Sequence, residues 1–178
     1  MLSAYPLSAT VALMTFLGAT VVVDLRKARI PNLLTVPAAL FGLGLNLAAA
    51  GGSGVVHSGA GLLTGLAVFL PFYLAGGFGG GDVKAMAAVG TFLGPKGALL
   101  AAAFTLVAGA VGALLVLASL GEHAALRALI RRWSLAAFAA WTTHTLPRTA
   151  APADDATQRR FPYGLAIACG TAVSLAWS

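Results

Sequence analysis

The sequence predicts an all-α membrane protein of about six transmembrane helices, with one interfacial amphipathic helix between the fifth and the sixth. Composition and the spacing of apolar runs carry that prediction, and the placement of basic residues orients it. Of the 178 residues, 59% are hydrophobic and only 9% charged, and the mean hydropathy is +0.90. A soluble domain carries roughly a quarter charged residues. No packed core of this size hides so much apolar surface, so lipid must face much of it. The 22 glycines suit close approach between helices in a bilayer. The length fits a single domain, residues 1–178.

A spanning helix needs roughly 20 apolar residues, with about 17 as a practical minimum. Runs at 7–23, 33–50 and 58–75 qualify, the third with a kink expected at Pro71. The run at 83–93 is apolar but short, and Gly94-Pro95-Lys96-Gly97 breaks the chain after it. Runs at 98–118 and 161–177 complete the set. Between the last two, Leu126, Leu129, Ile130 and Trp133 recur at helical spacing with Arg127 and Arg131 off the stripe, the pattern of a helix lying on a membrane surface. Trp133, Trp141 and Trp177 fit interfacial anchoring. Gly61 and Gly65 form a small-xxx-small pair suited to packing within the monomer. The first run lacks a basic leader and a small-residue cleavage signal, so it reads as a span rather than a signal peptide.

The net charge is +6, from 11 basic and 5 acidic residues. Against so apolar a background the basic residues mark topology, and no nucleic-acid partner is expected. Six crossings that start outside leave inner loops at 24–32, 77–84 and 119–160. These hold ten of the eleven lysines and arginines, and only Lys96 falls outside. The positive-inside rule then puts both termini on the periplasmic side. It also brings Asp24 and Asp82 to one face, the cytoplasmic one.

Those two acids are the candidate catalytic residues. Glu122, Asp154 and Asp155 sit in a polar stretch that explains them. A charge in hydrocarbon costs about 2.5–3.5 kcal/mol on insertion scales, so an intramembrane acid faces a cavity or a partner. Asp82 follows Gly79, Gly80 and Gly81, which leave the backbone bare for an approaching chain and free to take positive φ. Two carboxylates meeting in a poorly hydrated site share one proton. The ionised member takes a proton from water and the neutral one donates to a carbonyl oxygen, which is metal-free amide hydrolysis. Blander roles exist for each: Asp24 paired with Arg26, Lys27 or Arg29, and Asp82 as a helix N-cap. A proton relay in a small transporter is the rival function. His57, His123 and His144 share no ligand spacing, and Cys169 stands alone, so neither metal nor cofactor is expected. Pro31 and Asn32 read as a helix end and the cap of the next.

At these residues the chain resembles the prepilin peptidases, aspartic membrane proteases of the GxGD type. Gly79-Gly80-Gly81-Asp82-Val83-Lys84 matches their GxGDxK signature, and Asp24-Leu25-Arg26-Lys27-Ala28-Arg29-Ile30-Pro31-Asn32 looks like their D…RxIPN stretch. Pro162-Tyr163-Gly164-Leu165-Ala166-Ile167 resembles a segment of the short members associated with tight-adherence (Flp) pili. The resemblance implies cleavage of prepilin leader peptides after a glycine at the cytoplasmic face of the bacterial inner membrane. It implies Asp24 and Asp82 as the dyad. Gly79, Gly80, Gly81, Lys84, Arg29, Pro31, Asn32, Tyr163 and Gly164 fall at supporting or substrate-binding positions. Larger members carry paired CxxC motifs and an N-methyltransferase activity; with one cysteine, this chain is expected to lack both.

Overall fold

The computed structural model describes residues 6–27, 29–75, 77–119 and 163–177, and these residues are almost entirely helical. The order is α1 (Leu7–Lys27), α2 (Asn32–Leu74), α3 (Gly80–Ser119) and α4 (Tyr163–Trp177). By length and composition α1, α2 and α3 are long and apolar enough to cross a membrane, while α4 is a shorter apolar helix. The expected interfacial helix, Trp133 and Trp141 lie outside the described residues.

Two glycines fold the long helices back. Each of α2 and α3 is a pair of helices joined across a kink, at Gly51 (φ 61°, ψ −137°) and at Gly94 (φ 69°, ψ −176°). Positive φ is a conformation that glycine takes without a steric penalty. The reversal at Gly51 is sharp enough to bring Gly54 against the carbonyl of Asn46. This corrects the expected connection over 51–57: a single residue turns the chain, and residues 52–57 are already helical. The backbone at Pro71 stays helical, and the non-helical residue of α2 is Gly51.

The first arm of α3 is the central post. From Ala85 to Gly94 every residue is buried. A helix apolar on all sides belongs inside a bundle, which explains why this run is shorter than a lipid-facing span needs to be. Its closest neighbour is the second arm of α2, whose buried positions Gly54, Ser58, Gly61, Gly65 and Phe69 form a helical stripe of mostly small residues. Gly61 and Gly90 meet backbone to backbone, and Gly65 lies on the carbonyl of Met86. The Thr91 carbonyl accepts from Ser58 Oγ at 2.7 Å and from Asn46 Nδ2 at 3.0 Å, tying both arms of α2 to the post. At the end of the bundle where the helices reverse, His57 packs on Gly94, and Ser174 Oγ donates to the Gly97 carbonyl at 3.3 Å. In α1 the buried residues are Ala9, Leu13, Phe16, Leu17, Thr20 and Asp24. That helical stripe carries Asp24 inward as its last member.

Candidate active site

Asp24 and Asp82 are both buried, each about 8% exposed. Each lies near the end of its helix, and both helix ends are at the side of the bundle away from the two glycine reversals. Burying an ionised carboxylate is costly without charge-assisted hydrogen bonds, and each has a backbone amide donor. Gly164 N–H donates to Asp24 Oδ2 at 2.8 Å. Gly79 N–H donates to Asp82 Oδ2 at 3.1 Å, while the Asp82 amide donates back to the Gly79 carbonyl at 3.1 Å. Asp82 therefore sits in the first turn of α3 and reaches back over its start, as the acid of a capping box does, rather than standing as the N-cap itself. Asp24 turns to an amide 140 residues onward instead of to Arg26, Lys27 or Arg29, of which Arg26, Lys27 and Arg29 are exposed.

The start of α4 reaches the acid end of the bundle, where Gly164 holds Asp24. Tyr163 is fixed from two sides, by Phe78 edge to face at 4.6 Å between ring centroids and by the bare backbone of Gly109. Phe78 also stacks on Phe69 and meets Phe72, while the Tyr73 ring lies against Gly80. An aromatic group drawn from α2, the 75–79 connection and α4 thus packs beside the start of α3. The sequence reading did not single out Phe69, Phe72, Tyr73, Phe78 or Gly109. The clustering of four aromatics just before the glycine run was the available signal.

The supporting residues fall into place unevenly. Gly79, Gly80 and Gly81 do not use positive φ; among the described residues only Gly51 and Gly94 do. Their bareness serves close approach instead. A Cβ on Gly81 would lie 3.0–3.1 Å from the backbone and Cβ of Ile30, so the 29–31 turn rests on the start of α3. Pro31 is the N-cap of α2, and no side chain caps that helix. Asn32, expected as the cap, instead accepts from Lys84 Nζ at 2.9 Å. Arg29 is exposed near this turn. No group of three or more potential metal ligands occurs among the described residues.

Gly164 has no room for a side chain. An added Cβ would stand 2.9 Å from Asp24 Cβ and 3.0 Å from its Oδ2. Gly164→Ala is therefore expected to push the Asp24 carboxylate off its amide and lower the turnover rate roughly 10²-fold, the scale of an ångström's misplacement of a reacting group. Steady-state cleavage by purified protein of unchanged thermal midpoint checks this.

Helices apolar enough to span a bilayer, with two buried acids gathered at one end of the bundle, define a polytopic membrane protein with an acid pair at one face. The chain belongs to the type IV leader peptidase family, whose model matches residues 11–117. That makes it a protease of the leader-peptidase kind, with prepilins as the substrate class. The matched stretch contains both Asp24 and Asp82, and α4 lies beyond it. No curated protein and no solved structure matches the chain.

Proposed function

We propose that the chain is a membrane aspartic endopeptidase that cuts the leader from type IV or Flp-type prepilins after a glycine, with Asp24 and Asp82 as its catalytic pair. The observation that carries this reading is that two carboxylates from different helices are both buried at one end of the bundle, each accepting a backbone amide, Gly164 N–H for Asp24 and Gly79 N–H for Asp82. The ionised carboxylate takes a proton from a water, and the resulting hydroxide attacks the scissile carbonyl carbon. The protonated carboxyl donates to the carbonyl oxygen. As the C–N bond breaks, the nitrogen takes a proton and leaves as the new amino terminus. The glycines before Asp82 leave space for the extended backbone of the substrate, whose apolar stem stays in the bilayer.

In this reading the whole chain is one domain that crosses the inner membrane six times, once each with α1, the two arms of α2, the two arms of α3, and α4. The acid end carries Arg26, Lys27, Arg29 and Lys84, and Lys96 lies beside the Gly94 reversal. The positive-inside rule then turns the acids to the cytoplasm and both termini to the periplasm. With the single Cys169 there is no CxxC pair, and the product is released without N-methylation. Nothing favours the proton relay, which needs acids spread through the depth of the membrane. The test is co-expression with a candidate prepilin, comparing wild type with Asp24→Asn and Asp82→Asn by gel mobility. Loss of the processed band in both variants is expected; undiminished processing by either one sinks the pair.

A further inference from the structure

The two acids ride on helices that scarcely touch. α1 packs mainly on α4 and α2 and meets α3 at few points. Their relative placement must therefore be set by something else. One link is the start of α4. The other is the turn between α1 and α2, which leaves α1 one turn after Asp24 and lies across the first turns of α3. There it touches at two places, Ile30 on Gly81 and Asn32 on Lys84.

We infer that the Asn32–Lys84 hydrogen bond is a strut that holds the Asp82 end of α3 in register with the Asp24 end of α1, making Asn32 and Lys84 positioning residues for cleavage. This rests on the catalytic reading of the two acids. A lysine at a helix end ordinarily extends its stem toward the interface and keeps its ammonium in water. Lys84 is exposed, yet its ammonium is spent on a side-chain oxygen from a helix that begins 52 residues earlier. An asparagine at a helix start ordinarily caps it. Here Pro31 occupies the cap position, and the Asn32 amide oxygen faces Lys84 instead. Gly81 contributes the second contact, since any side chain there would lift the turn off α3 and lengthen the reach from Asn32 to Lys84. Lys84 lies two positions after Asp82, so on a helix the two side chains leave on nearly opposite sides. The lysine thus acts on the helix that carries the acid.

The test is the steady-state kinetics and pH profile of purified Asn32→Leu, Asn32→Asp, Lys84→Met and the Asn32→Leu/Lys84→Met double variant on a prepilin, beside Asp82→Asn. Both residues are exposed, so these changes remove no buried apolar contact. Asn32→Leu and Lys84→Met are each expected to lower kcat about 5- to 20-fold with KM little changed. The double variant should be no slower than the slower single one, as for two halves of one interaction. Asn32→Asp keeps an acceptor oxygen and should recover most of the rate lost in Asn32→Leu. Full activity of Asn32→Leu, or losses that multiply in the double variant, overturns the strut. So does a shifted pH profile in Lys84→Met with none in Asn32→Leu, which would mean that the lysine acts by charge on Asp82. An inactive Asp82→Asn beside fully active strut variants removes the strut alone; an active Asp82→Asn removes the catalytic reading and the strut with it.

Discussion

Asp82→Asn is expected to slow prepilin cleavage by about 10³-fold or more, and the Asp24→Asn/Asp82→Asn double variant is expected to be no slower than either single one. Asparagine keeps the shape and keeps an acceptor oxygen. At position 82 it still accepts from Gly79 N–H, and at position 24 from Gly164 N–H. The start of α3 and the seat of α4 therefore survive, and only the ability to ionise and carry a proton is lost. In the proposed mechanism acid and base act on one water and one carbonyl, so removing either stops the same step, and removing the second costs nothing more. Single-turnover cleavage by detergent-purified variants measures both effects. Independent losses that multiply would assign the acids to separate steps and end the shared-water mechanism.

Gly61→Ala is expected to damage the fold severely. The Gly61 Cβ would collide with the Gly90 carbonyl and stand 2.7 Å from the Gly94 Cα. Both are backbone, so no side chain can swing aside. Overpacking of this kind costs about 3 kcal/mol or more, equivalent to a fall of roughly 6–12 °C in the thermal midpoint of a chain this size. Gly59→Ala, two residues earlier on the same helix, meets nothing within 4 Å. There the gain in helix propensity, about 0.5–1 kcal/mol, is expected to leave the midpoint unchanged or raised. Thermal unfolding of the two variants in one detergent makes the comparison. Equal midpoints would mean that the crossing of α2 and α3 is looser than the Gly61–Gly90 contact.

The sequence made the helical class and the two acids legible for separable reasons. Apolar run lengths are a local property, so the helices could be read directly. Asp24 stood out as a charge in an apolar run, and the stripe of Leu13, Phe16, Leu17 and Thr20 that buries it follows simple helical periodicity. What stayed hidden depends on contacts distant in sequence. No local pattern says that Gly164 will donate to Asp24, or that Asn32 will leave its cap for Lys84. The glycine run reads as bare backbone for an approaching chain and as torsional freedom; the torsional freedom goes unused, and part of the bareness is taken by Ile30 against Gly81. The runs 33–50 and 58–75 leave a seven-residue gap between them, while a single positive φ at Gly51 suffices.

The two ends of the bundle differ in how they are joined. Opposite the acids, the arms of α2 and of α3 are coupled by one residue each, Gly51 and Gly94, and pinned by the bonds to Thr91 and Gly97. At the acid end α1 joins α2 through 28–31 and α2 joins α3 through 75–79. The far end is closed by the backbone itself, whereas at the acid end the register of the helices falls to side-chain and amide contacts, Gly164 on Asp24, Ile30 on Gly81 and Lys84 on Asn32.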